Sequence, residues 1–135
     1  MRDSIVRGGI MGKPIIISNS NELVRMKPER IIYVASDGNY STFVLHDRTE
    51  QVFTMNLARS MEVIVEQLGK GASTFIRIGK SLIVNRTYIY RVNVTRQQLV
   101  MSDMDSNEAF TLQASKEALR QLKELLESDK NNKED

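Results

Sequence analysis

The strongest constraint on the fold is a series of short strand-like segments that follow one another across turn signals. Residues 31–54 contain three such segments, separated by dense turn signals at 36–39 and 47–50. Gly38 can adopt the positive φ that the first turn requires. Because antiparallel strands can be joined by turns this short, we predict an antiparallel meander over 31–54.

The same pattern recurs on both sides of the meander. Further strands are predicted at 14–20, 75–78, 87–94, 98–101 and 109–112, and 82–84 is an apolar run expected to anchor the preceding loop in the core. Two segments have helical periodicity instead: 55–71, with Asn56 as its N-cap and Gly69 at its end, and 115–126, capped by Ser115. Strands and helices do not alternate, which argues against a parallel α/β fold. The predicted fold is mainly β, with one internal and one C-terminal helix.

The 135 residues fit one domain. Residues 1–13, with three glycines, are predicted to be a flexible N-terminal tail, and 128–135 a polar C-terminal tail, which leaves the domain at 14–127. The chain has no cysteine, no secretory signal and no apolar run near the length that spans a bilayer. We therefore predict a soluble, cytoplasmic protein without membrane insertion.

The side chains that enzymes use are scarce. His46 is the only histidine, and neither a cysteine nor a G-x-S-x-G motif is present. The segment 79–81, GKS, resembles the end of a phosphate-binding loop, but Thr74 stands where that motif needs glycine. The sequence therefore predicts no catalytic site, no metal site and no cofactor.

Positive charge is concentrated in one part of the chain. Residues 70–96 contain six basic residues and no acid, whereas the whole chain has a net charge of only +2. The basic residues are Lys70, Arg77, Lys80, Arg86, Arg91 and Arg96. The segment is either a polyanion-binding surface or a solvated sheet face.

Three local features fit polyanion recognition. The turn at 37–42 presents polar side chains, Gly79 frees the backbone beside Lys80, and Ser115 and Lys116 open the last helix, where free N–H groups attract phosphate. Each feature also has a purely structural explanation: a hairpin turn, a strand end and an N-cap.

The order and spacing of four segments resemble the LytTR DNA-binding domain, the output module of many bacterial response regulators. They are IIYVASDGNYSTFVL (31–45), NL (56–57), FIRIGKSLIVNRTYI (75–89) and FTLQASKEALRQL (110–122). The third is the most specific, through Phe75, Arg77, Lys80, Ser81, Val84, Asn85 and Ile89. The resemblance covers 14–127 and implies about ten short strands in small antiparallel sheets. It also implies a transcriptional regulator whose loops enter the grooves of bent, direct-repeat DNA sites.

Carried over to this sequence, the resemblance gives a set of candidate residues. The implied DNA contacts are Asn39, Tyr40, Ser41, Thr42, Lys80, Ser81, Arg86, Ser115 and Lys116. Asn85 matches a family position with a structural role, in which its side chain would close the loop through bonds to the backbone. The residues themselves give structural roles to Gly38 in the turn and to Gly79 beside Lys80. The implied partners are double-stranded DNA, a second copy on direct repeats and a regulatory protein.

The sequence departs from the family pattern at several contact positions. Some relatives carry histidine about where Ser41 stands, and Gly79 replaces a polar residue. Lys80 and Lys116 stand where relatives often carry arginine, whose fork can bind guanine at two points. These departures predict more contact with phosphate and less reading of bases.

Family members often carry a receiver domain before this module. Only 13 residues precede Pro14, so we expect a stand-alone domain controlled by abundance, a partner protein or a ligand. The alternative hypothesis is a protein-interaction module of a signalling system that keeps the fold with weak or no specific DNA binding. A small enzyme is the third reading, and the lack of acid–base residues argues against it.

Overall fold

The computed structural model describes residues 13–104 and 109–134. They form ten strands and two α-helices, which confirms the predicted mainly β class. The strands are β1 (Ile15–Ser18), β2 (Leu23–Met26), β3 (Ile31–Asp37), β4 (Tyr40–Leu45), β5 (Glu50–Phe53), β6 (Phe75–Ile78), β7 (Leu82–Asn85), β8 (Ile89–Asn93), β9 (Gln98–Met101) and β10 (Phe110–Gln113). The helices are α1 (Leu57–Leu68) and α2 (Lys116–Glu134).

A five-stranded antiparallel sheet in the order β5-β4-β3-β7-β6 forms the middle of the molecule. A two-stranded sheet, β1-β2, and a three-stranded sheet, β10-β9-β8, complete the fold. All four residues of β7 are buried, because the central sheet is covered on both faces. This explains why 82–85 is an uninterrupted apolar run closed by asparagine, whereas half-buried strands alternate.

Each face of the central sheet has its own hydrophobic core. On one face Val34, Phe43 and Ile83 pack with Ile64 of α1 and Ile15 of β1. The rings of Phe43 and Phe53 meet edge to face there, with centroids 5.4 Å apart.

The second core contains Ile32, Val84, Leu99, Met101 and Leu119, and it joins the three-stranded sheet and α2 to the other face. A bulge in β3 between Ile31 and Tyr33 shifts the alternation. It allows Ile32 and Tyr33, although adjacent, to pack against the same core.

The structure differs from the predicted elements in three places. β2 was not predicted; an Asn19 side chain that accepts from the N–H groups of Asn21 and Glu22 forms the turn before it. A 3-10 turn, Arg86–Tyr88, replaces the start of the strand predicted at 87–94. The C-terminal helix does not end at Leu126 but continues to Glu134, through residues predicted to be a polar tail.

The N-terminal tail predicted at 1–13 lies outside the described residues except for residue 13. The acidic turn predicted after Met101 falls partly on 105–108, which are also outside them.

Asn85 is the polar residue at the end of β7, and its side chain is fully buried. Its Nδ2 donates to the Ile31 carbonyl at 2.9 Å, and its Oδ1 accepts from the Thr87 N–H at 3.0 Å and from the Thr87 hydroxyl at 2.7 Å. These bonds join β3 to the turn after β7. They lie at the end of β7 opposite Gly79, so Asn85 does not close the 79–81 loop as expected.

Candidate nucleic-acid interface

The β3–β4 hairpin ends in a two-residue turn, Gly38 and Asn39, between the paired residues Asp37 and Tyr40. Gly38 has a φ of 65°, a conformation that residues other than glycine rarely adopt. Asn39 and Tyr40 are exposed at the tip, with the Tyr40 side chain 53% exposed. The hairpin therefore presents an amide and a phenol to solvent.

The loop between β6 and β7 lies beside this hairpin. It consists of Gly79, with a φ of 63°, and the exposed residues Lys80 and Ser81. The Ser36 N–H donates to the Ser81 carbonyl at 2.8 Å, which joins the end of β3 to the loop. Since β3 and β7 are antiparallel neighbours, the hairpin tip and the loop lie at the same end of the sheet.

The start of α2 completes this group. Ser115 is the N-cap, and its Oγ accepts from the Ala118 N–H at 3.1 Å. A Cβ placed on Gly79 would lie 3.9 Å from the Ala118 Cβ, so the first turn of α2 is against the 79–81 loop. Lys116, the first helical residue, is exposed there.

Three segments that are far apart in sequence therefore meet at one end of the five-stranded sheet, where β3 and β6 end and β4 and β7 begin. We call this the loop end, and the opposite end, where β3 begins and β7 ends, the far end. Within the described residues neither Lys80 nor Lys116 has a carboxylate partner. Both charges are therefore available to an anion.

Ser41 does not belong to this surface, which corrects the candidate set. Its side chain is completely buried, and its hydroxyl donates to the Met55 carbonyl at 2.8 Å. Side chains alternate along a strand, so Tyr40 and Thr42 face the side that carries α2 whereas Ser41 faces α1. Thr42 is half-buried and remains next to the hairpin tip.

Arg86 is a second correction, because it lies at the far end. It follows β7, and about 3.3 Å per strand residue places it roughly 16 Å from Ser81. Its guanidinium forms an ion pair with the Asp129 carboxylate of α2. The rise of about 1.5 Å per residue lets α2 span the sheet, so that Lys116 is at the loop end and Asp129 at the far end. Arg86 therefore fixes α2 on the sheet and is not grouped with the loops.

The far end is held by internal polar contacts. The Tyr88 hydroxyl donates to the Glu29 carbonyl at 2.7 Å, and burial raises the pKa of this phenol. The Arg48 guanidinium donates to the Ala109 carbonyl at 2.9 Å and lies 4.3 Å from the centroid of the Phe110 ring. These side chains stabilise the fold through internal contacts, whereas Asn39, Tyr40, Lys80 and Lys116 of the loop end are exposed to solvent.

Two exposed acids of the loop end oppose anion binding, Asp37 and Glu117, and the Glu117 carboxylate already accepts from Arg120 and Gln121 of α2. Asp37 is exposed where β3 meets the turn, next to Asn39 and Tyr40. The candidate set contained no acid, although the sequence placed Asp37 in the same turn.

Among the described residues, no group of three or more acidic or histidine side chains could hold a metal ion. Neither helix is long and apolar enough over its described residues to cross a membrane.

The fold and this surface together define a class of protein, the small β domain with a basic and polar surface built from loops. The sequence profile of the LytTr DNA-binding domain matches residues 21–127. The chain therefore belongs to the LytTR DNA-binding domain family, as the resemblance indicated. Membership supports a DNA-binding regulatory role with DNA as the partner.

The fold is similar to a solved structure from Bacillus cereus, the LytTr DNA-binding domain of a protein described as a methyl-accepting/DNA response regulator. The TM-score is 0.56 at 17% sequence identity, over 85% of this chain and 98% of that chain. At that identity the comparison establishes the fold alone. A comparison with curated proteins finds no match.

Proposed function

We propose that this protein is a sequence-specific transcriptional regulator of bacterial signalling that reads direct-repeat promoter sites through its loop end. The observation that carries the proposal is the meeting of three separate segments, joined by the Ser36–Ser81 hydrogen bond and the close approach of Gly79 to Ala118. DNA is the expected partner in the cytoplasm, and a second copy binds the second repeat.

The loop end offers two kinds of contact. Lys80 and Lys116 supply point charges that attract phosphates, while the α2 N-terminus adds backbone N–H groups. Asn39 and Tyr40 carry polar side chains that can bond to base edges. Lysine lacks the planar fork with which arginine binds guanine. We therefore assign base reading mainly to the hairpin, and we assign to the two lysines the phosphate contacts that orient the protein on the DNA backbone.

Selection from a random duplex library tests the proposal. The full chain is expected to enrich a direct repeat. The distance between its two half-sites should allow two copies of the protein to bind on one face of the DNA. Binding without any enriched sequence would contradict sequence-specific regulation. It would favour the alternative, a protein-interaction module, which rests on Gly79, Lys80 and Lys116 differing from the family's contact residues.

Substitution of Asp37 is expected to change DNA affinity in the opposite direction to substitution of Lys80 or Lys116. Replacing it as Asp37→Asn removes a negative charge from the loop end, and we expect binding to duplex DNA to tighten by about twofold to fivefold. Fluorescence anisotropy at low salt measures the change. Glu29→Gln is the matched control, because this exposed residue at the far end loses the same charge. Equal effects of the two variants would show that affinity for DNA depends on the net charge of the protein and not on the position of the acid.

A further inference from the structure

The turn between β8 and β9 brings an arginine close to the loop end. Asn93 Oδ1 accepts from the Arg96 N–H at 2.9 Å, and the Gln97 N–H donates to the Val94 carbonyl at 3.1 Å. Gln97 has a φ of 56°, so the chain reverses sharply here. Arg96 is exposed in this turn.

Two hydrogen bonds connect the turn to the residue before the N-cap of α2. The Ala114 N–H donates to the Gln97 carbonyl, and Gln97 Nε2 donates to the Ala114 carbonyl, both at 3.4 Å. The β9–β10 register agrees, because Gln98 lies opposite Gln113. Since Ser115 follows Ala114 directly, the turn adjoins the third segment of the loop end.

Arg96 forms no ion pair within the described part of the chain. No carboxylate there lies within ion-pair distance of its guanidinium, whereas Arg59, Arg86 and Arg120 each pair with an acid. An exposed arginine on a hydrogen-bonded turn can bind a phosphate through two parallel N–H groups.

We propose that the turn at 93–97 is a fourth DNA contact, in which Arg96 binds a backbone phosphate beyond those reached by the three loops. This inference rests on the proposed function. The turn belongs to the three-stranded sheet, and packed sheets lie about 10 Å apart. Arg96 therefore lengthens the footprint on the side of α2, where it adds affinity and orientation but no base reading.

Binding of a random-sequence duplex across a range of salt concentrations tests the contact. Arg96→Gln is expected to bind about threefold to tenfold more weakly at 0.1 M salt, with a slope of log affinity against log salt that is smaller by about one. Arg30→Gln is the control, because this exposed arginine precedes β3 at the far end and loses the same charge. It is expected to leave affinity and slope nearly unchanged.

A second experiment uses the absence of cysteine from the sequence. An iron chelate attached to the single thiol of Arg96→Cys is expected to cleave bound duplex, and the same label on Arg30→Cys is expected to cleave several-fold less. Unchanged affinity for Arg96→Gln together with equal cleavage from the two positions would overturn the fourth contact and leave DNA binding intact. A wild-type chain that binds no duplex would overturn both proposals.

Discussion

Replacing Lys80 and Lys116 together by alanine is expected to weaken binding to duplex DNA by about tenfold or more, with thermal unfolding nearly unchanged. Both side chains are exposed at the loop end and neither has a carboxylate partner within the described residues. Each lysine that binds a phosphate releases a condensed counterion. The slope of log affinity against log salt should therefore fall by about two.

The matched control removes two lysines from the far end. Lys27 lies between β2 and β3, and Lys70 lies between α1 and β6, both of them exposed. Lys27→Ala with Lys70→Ala causes the same loss of charge but should change affinity by less than about threefold at 0.1 M salt. A gel-shift affinity for the Lys80 and Lys116 double variant that matches wild type would refute the assignment of the loop end.

The largest expected effect on stability is that of Asn85→Ala, which we expect to lower the free energy of unfolding by about 3 kcal/mol. The substitution removes the partners of the buried Ile31 carbonyl and the Thr87 N–H, and it leaves space at the end of a strand that is buried on both faces. Urea denaturation followed by circular dichroism measures the loss.

Asn21→Ala provides the comparison for this variant. Asn21 is exposed in the β1–β2 turn, and within the described residues only its backbone N–H is bonded, to Asn19 Oδ1. We expect a change within about 0.5 kcal/mol. A loss below about 1 kcal/mol for Asn85→Ala would mean that water or a shift of the turn replaces the bonds of the side chain.

Most of the fold could be predicted because its signals are local. The turns at 36–39 and 47–50, the Asn56 cap and the glycine after α1 each act over a few residues, and the structure has elements at these places. β2 was missed because its sequence, LVRM, does not alternate between apolar and polar residues, and its extended conformation comes from pairing with β1. The extension of α2 beyond Leu126 was missed because its sequence is polar there, and the Arg86–Asp129 pair that holds it joins distant parts of the chain.

The candidate site was predicted as a set of segments, and the structure gathers those segments at one end. The sequence could not tell which side chains within each segment face outwards. Ser41 and Thr42 are equivalent as polar residues in a turn, but the pairing of β4 buries one and leaves the other half-exposed. The position of Arg96 is likewise set by the register of the three-stranded sheet, which local sequence does not specify.

We expect DNA to bind the loop end of the five-stranded sheet. Amide chemical shifts of the 135-residue chain, recorded with and without a duplex, locate the bound surface residue by residue. We predict that the largest changes fall at 37–42, 79–81 and 115–116, with small changes at 28–30, 46–49 and 86–88. Changes concentrated at the far end or along α1, with the three loops unaffected, would contradict the account.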